Sequence, residues 1–288
     1  MQEANLLAGA DAIALPPGHY KLTRGGAFED AALTGDLDVL DDLAIGGAGA
    51  AGTRIDADGL DRVLHVVAPR VRVSVSDVTL EGGAAPGQPG GGILNLGELE
   101  LVRSVLRDHR ASLAGGGIFN PGVLVVRDSL LTGNRSENHA GGAIFTIHTG
   151  TLDMSGSTVE GNSAMLDVGG IANTGAAVVS DTAIRDNHCG GFGGGIASGI
   201  GGGIDDDVGT FILFRSEVSG NSSFLTGGGI SQGEGAFTVL DSTISANFSP
   251  TGGGGFGMGP GLLTIRNSTV SGNTTHGNGG GVSSSGDL

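Results

Sequence analysis

The residues best suited to chemistry in this chain are carboxylates. Asp205, Asp206 and Asp207 stand side by side in SGIGGGIDDDVG, the stretch from Ser198 to Gly209. Ca²⁺ is a hard cation that takes several oxygen ligands, so three adjacent Asp in a glycine-rich loop are a candidate calcium site. Gly201 to Val208 loosely echoes a Ca²⁺-binding nonapeptide, although Ile204 stands where that pattern needs Gly and the motif occurs once. A plain solvated loop is the simpler reading, so calcium is the one cofactor to consider and none is required. A second acidic group, Asp36, Asp38, Asp41, Asp42, Asp56 and Asp58, could also gather around Ca²⁺. Here the simpler expectation is a solvated face, because strand alternation sends several of these side chains outward.

Two kinds of sugar chemistry need other groups. A polysaccharide lyase wants a basic residue as Brønsted base, with carboxylates or Ca²⁺ to neutralise the uronate. Arg103, Arg127, Arg185, Arg215 and Arg266 are available, and all but Arg185 lie in or beside a column of mixed charge described below. A glycoside hydrolase wants two carboxyl groups at a defined separation. Asp181 and Asp241 occupy equivalent positions two units apart, roughly 10 Å at the rung spacing of stacked strands, with Arg215 between them. Sugar clefts also use Trp or Tyr as stacking surfaces, and this chain has no Trp and only Tyr20. His188-Cys189 is the one pair resembling a soft-metal site, but neighbours in a strand point to opposite faces. The enzymatic reading is therefore kept only as an alternative, with no catalytic residue assigned.

Composition narrows the partners. A formal charge of −16 argues against nucleic acid and anionic membranes. No stretch of 18 apolar residues occurs, so no membrane-spanning helix is expected. Cys189 is the single cysteine, which excludes an intrachain disulfide.

The elements that must position all these residues follow from a repeat of roughly 26 residues, clearest from Ala114 to Asn134 (AGGGIFNPGVLVVRDSLLTGN). A glycine cluster precedes one apolar residue in each unit: Ile93, Ile118, Ile144, Ile171, Ile196, Ile230, Phe256 and Val282. An Asn closes each unit, at Asn134, Asn162, Asn187, Asn221, Asn247 and Asn273, with His109 in the same place one unit earlier. Between these anchors apolar residues alternate with period two, as in Leu124 and Val126 or Phe237 and Val239. A Ser or Thr follows each pair, and another apolar residue two positions on. Period two is the signature of a half-buried strand, so each unit supplies about three short strands. One coil cannot bury its apolar face. Stacked coils can, pairing in parallel at ~4.8 Å. The expected fold is all-β, a right-handed parallel β-helix, with the Asn residues forming a structural ladder. Arg103, Asp128, Gly156, Asp181, Arg215, Asp241 and Asn267 form an outward column in which three neighbouring pairs have opposite sign. Residues 1–288 read as one domain, with irregular capping and first coils over 1–70 and regular coils over 71–288. The opening Met1 to Leu7 reads as a short helix capping the first coil.

The lead-in segment resembles that of CSLREA-type bacterial right-handed parallel β-helix proteins. The matching residues are Glu3-Ala4, Gly9-Ala10-Asp11, Leu15-Pro16, Gly18, Tyr20, Gly35-Asp36-Leu37-Asp38, Asp41-Asp42-Leu43 and Gly59 to Val66. From Gly90 onward the units are similar to the GGAI and FxxN repeats of polymorphic outer-membrane proteins. Gly141-Gly142-Ala143-Ile144 is a literal GGAI, whereas Leu131, Val159 and Ile184 stand where that family has Phe. The leading CSLR is missing, and the chain stops after GGGVSSSGDL before another set of strands. This reads as part of a longer protein whose secretion signal and anchor lie outside the sequence. The resemblance implies a secreted or cell-surface protein. The expected function is a non-catalytic structural or adhesion module for a surface ligand or glycan. A carbohydrate-active enzyme working on the lateral face is the alternative, and an open last coil invites end-to-end self-association.

Overall fold

A computed structural model describes residues 1–2, 4–6, 9–26, 30–198 and 209–284. The alternating segments are strands; the first two coils hold three each, and from the third coil onward each full coil among the described residues holds four. Following one coil, Ile118–Asn120 lies in a first sheet, Val123–Arg127 in a second, Leu130–Thr132 in a third and the two-residue Arg135–Ser136 in a fourth. Equivalent strands of successive coils pair in parallel. Among the described residues this gives three sheets of ten strands and one of eight. The fourth strand escaped the periodicity because two residues are too few to show alternation. The protein is thus an all-β parallel solenoid of about nine turns.

The inward residues stack in register: Ile118 on Ile144, Ile144 on Ile171, Leu124 on Leu152. Most are wholly buried and form one continuous apolar column. Phe211 and Phe237 lie on consecutive rungs with ring centroids 4.7 Å apart and nearly parallel, because coil stacking fixes their separation near van der Waals contact.

Two corners are made by the same device: a left-handed residue followed by an inward polar one. Between the second and third sheets the left-handed residues are Arg103, Asp128, Gly156, Asp181, Arg215, Asp241 and Asn267, with φ between 44° and 60°. This is the column read from sequence as a mixed-charge stripe. Its members turn the chain, and Asp and Asn tolerate that conformation best after Gly. Each is followed by a hydroxyl residue that turns inward. Ser129 Oγ accepts the backbone N–H of Ser104, Ser157 Oγ that of Ser129, and so on to Ser268, at 3.0–3.4 Å.

The corner between the third and fourth sheets carries the amides. The backbone N–H of Asn134 donates to Asn162 Oδ1, and the relation repeats through Asn187, Asn221, Asn247 and Asn273 at 2.9–3.0 Å. Each Nδ2 also donates to the next Asn Oδ1 and to a main-chain carbonyl one coil back, such as Leu106 for Asn134. Asn134, Asn162, Asn187, Asn221 and Asn247 are buried, so each of their bonds pairs a polar group that would otherwise stand alone in the core.

His109 sits in this ladder and fixes its own tautomer. Its Nδ1 accepts from Gly83 N–H at 2.8 Å and its Nε2 donates to Leu80 O at 3.1 Å. Burial holds the imidazole down to a pKa of about 3. Protonating Nδ1 would also break the Gly83 bond. The folded pKa is below the unfolded one, so stability is present above the unfolded value of about 6.5 and falls as pH drops below it. Between pH 7 and pH 5 this one group should remove about 2 kcal/mol of stability. His109→Asn, which supplies the ladder's usual residue, should abolish that loss. Urea midpoints across this range check it, and parallel losses in both proteins would rule it out.

The helix expected over residues 1–7 does not appear in the described part of that segment, residues 1–2 and 4–6, none of which is helical. Asn5 N–H donates to Met1 O in a single turn, while its side chain bonds Asp38 O and the Leu40 N–H. One turn is an unfavourable helix nucleus, and these tertiary bonds hold the segment against the first coil instead.

Candidate functional site

The outer face of the second sheet carries a shallow groove of about 410 Å³ across the first coils. Asp11, Asp42, Glu98 and Glu100 surround Arg72 in it. The Arg72 guanidinium is held by Glu98 at 3.2 Å, with Asp42 at 3.9 Å, and Asp42 also accepts the Arg72 backbone N–H. Four carboxylates against one paired guanidinium make the groove anionic, and it repels a polyuronate rather than neutralising it.

A second, more open groove of about 720 Å³ follows the corner of the second and third sheets. It contains Asp181, Arg215, Glu217 and Asp241, the constellation considered for hydrolysis. Arg215 grips Asp181 through Nε at 2.7 Å and Nη2 at 2.6 Å, and its guanidinium lies 4.0 Å from the Phe214 ring centre. The Arg215 hydrogen bonds hold the Asp181 carboxyl below the usual carboxylate range. An inverting hydrolase needs one carboxyl kept protonated, and this one is pushed the other way. Arg103 does not pair forward with Asp128; it binds Asp77, one coil back, at 2.9 and 2.7 Å. Arg185 binds Glu160 at 2.7 Å, and Arg127 lies between Glu100 and Asp153 at 3.5 and 3.4 Å. These arginines are spoken for by neighbouring rungs.

The six early aspartates do not gather in one place. Asp41 accepts from Gly9 and Asp42 N–H groups at the surface. Asp56 ends a strand of the third sheet and bonds His19, and Asp58, in the turn just past it, pairs with Lys21. Asp36 and Asp38 correct the expectation of a solvated face, being 5% and 0% exposed beneath the chain that crosses over the first sheet. Asp36 accepts from Arg62 Nη1 at 3.1 Å, and Asp38 from the Ala32 N–H at 2.8 Å while facing His65 Nδ1 at 3.1 Å. Burial pushes the Asp36 carboxyl up to about 7 despite Arg62, and raises buried Asp61 too. Reading the sequence missed His65, Asp61 and Arg62. The signal was there: Leu37-Asp38-Val39 and Leu64-His65-Val66 are one coil apart and pair in register.

Asp205, Asp206 and Asp207 lie outside the described residues. His188 and Cys189 face opposite ways: the imidazole Nδ1 meets Ser222 Oγ at the surface at 2.9 Å, and the thiol is buried against Phe192 O. Burial raises that thiol to about 11, so it is an inert core residue.

No protein-family model matches the sequence, and no curated protein matches it. Two solved structures from Azotobacter vinelandii align along nearly its whole length. The A-module of mannuronan C-5 epimerase AlgE4 is 16% identical over 98% of this chain and 89% of that one, with a TM-score of 0.39. The A-module of mannuronan C-5 epimerase AlgE6 is 17% identical over 97% and 92%, also with a TM-score of 0.39. At this distance the likeness carries nothing about chemistry.

Proposed function

We propose that the chain is a rigid, non-catalytic module displayed at the cell surface or secreted, which presents its lateral faces to a surface ligand or a neutral glycan. The observation that carries this reading is the state of the two lateral grooves. In each, the arginine is already bonded to carboxylates, and the Asp181 carboxyl is held low rather than raised. Such pairs set the register of neighbouring coils and leave neither Arg72 nor Arg215 free to neutralise a substrate. The amide and hydroxyl ladders behind them run without a break from coil to coil, which suits a spacer that must not deform.

The alternative, a carbohydrate-active enzyme, draws on the four carboxylates around Arg72. One assay separates the two. Purified protein is incubated with neutral and uronate polysaccharides, and new reducing ends and unsaturated uronates are measured. The surface module should produce neither, and an antibody to it should stain unpermeabilised cells of the producing organism. New chain ends lost in Glu98→Gln would establish the enzyme, and staining that requires permeabilisation would remove the surface assignment.

A further inference from the structure

The buried acidic pocket over the first coils has more to it than hydrogen bonds. Asp36, Asp38 and Asp61 are each at most 5% exposed, and the one guanidinium buried among them is that of Arg62. Asp30 closes the outer side, with its side chain 74% exposed. His65, itself 6% exposed, directs Nδ1 at two carboxylates at once: Asp38 Oδ1 at 3.1 Å and Asp30 Oδ1 at 3.5 Å. Its other ring nitrogen, Nε2, has no hydrogen-bond partner among the described residues. The ring is therefore oriented by the carboxylates in front of it and by nothing behind.

We infer that Asp30, Asp38 and His65 bind one divalent transition-metal ion of the Zn²⁺ class, with water at the remaining position. The spacing is that of a coordination shell. Zn²⁺ holds imidazole nitrogen and carboxylate oxygen at about 2.0 Å, so tetrahedral ligand atoms stand about 3.3 Å from each other. The two His65 edges measure 3.1 and 3.5 Å, and all three ligand atoms lie within 4.8 Å of one another. The donor set chooses the class: one imidazole and two carboxylates suit Zn²⁺ or a neighbouring metal, whereas Ca²⁺ wants more oxygens. A dication also complements the buried Asp38 carboxylate, since the Arg62 guanidinium bonds Asp36 and Gln88 instead. A second grouping, His19, Asp56 and Glu81, does not qualify. Its Glu81 is already paired with Arg107 and has Arg54 at 3.8 Å, so a dication there would meet two guanidinium groups.

The test is calorimetric titration of chelator-treated full chain with ZnCl₂, repeated with CaCl₂. One Zn²⁺ per chain with a Kd in the micromolar range or tighter is expected, with at least a hundredfold weaker response to Ca²⁺. Asp30→Ala changes only an exposed side chain, so the fold is retained while Zn²⁺ affinity drops at least tenfold. His65→Gln should remove the binding, and His19→Ala should leave it unchanged. No heat from wild type with millimolar ZnCl₂ would overturn the site, and so would binding that survives both Asp30→Ala and His65→Gln.

Discussion

Replacing Asn221 by alanine is expected to destabilise the solenoid by about 3–5 kcal/mol. Asn221 Oδ1 accepts two bonds from the coil before it, the Asn187 N–H and the Asn187 Nδ2, both at 3.0 Å. Its own Nδ2 donates to Ile184 O at 2.9 Å and Asn247 Oδ1 at 3.0 Å. Alanine removes all four. The Asn187 backbone N–H is then left in the core with no acceptor, and each buried unpaired group costs about 1–3 kcal/mol. Water cannot readily take over, since Asn187, Asn221 and Asn247 are all fully buried. Urea unfolding should show a lower midpoint at an unchanged slope. A loss below about 1 kcal/mol would mean that the ladder aligns coils without holding them together.

Ile144→Asp should be more severe and leave the chain unfolded or aggregated. Ile144 is wholly buried in the apolar core, with Ile118 and Ile171 on the rungs either side. A carboxylate there has neither water nor a partner, and the effective penalty of burying one ion is several kcal/mol. Protonation lessens that cost but leaves an acid without hydrogen bonds in place of a packed sec-butyl group. A loss above about 5 kcal/mol matches the entire stability of many domains. Ile144→Val, which only trims a methyl group, should cost about 1 kcal/mol. Soluble yield, circular dichroism and light scattering read the difference. A soluble, folded Ile144→Asp protein would show that the inward register is assigned to the wrong residues.

The two variants probe features of different legibility. The inward register was open to reading because period two and a 26-residue repeat are both local properties of the chain. Leu124, Val126 and Leu131 could be placed on one face from their spacing alone. The Asn column was equally visible, as one residue type at one position. Its bonds were not, because they run between residues 25 to 34 positions apart, and only stacking says which donor meets which acceptor.

The mixed-charge column shows the limit of pattern reading. Its residues were seen and their outward direction was inferred, yet their left-handed backbone was hidden, since Arg103 and Arg215 are not residue types that announce it. Their partners also went unread. Charge signs are symmetric along a column and do not say whether Arg103 reaches back to Asp77 or forward to Asp128. The first coils were the least legible. There the strands are short, the spacing between them varies, and alternation counted from an isolated strand put Asp38 on an outer face.

By itself, then, the sequence determined the winding: a periodic apolar pattern can be buried only by stacking each coil on the last. It also determined the composition of the ladders, because stacking turns a recurrent residue into a column. Tertiary structure decided where charge is solvated and where it is enclosed. The outer face of a strand is exposed only if nothing crosses it, and the segment from Asp30 to Asp36 crosses over Asp38 and His65. That crossing is a contact between distant parts of the chain, set by packing and not by any periodicity, and it brings the imidazole and the carboxylates of the first coils into one pocket.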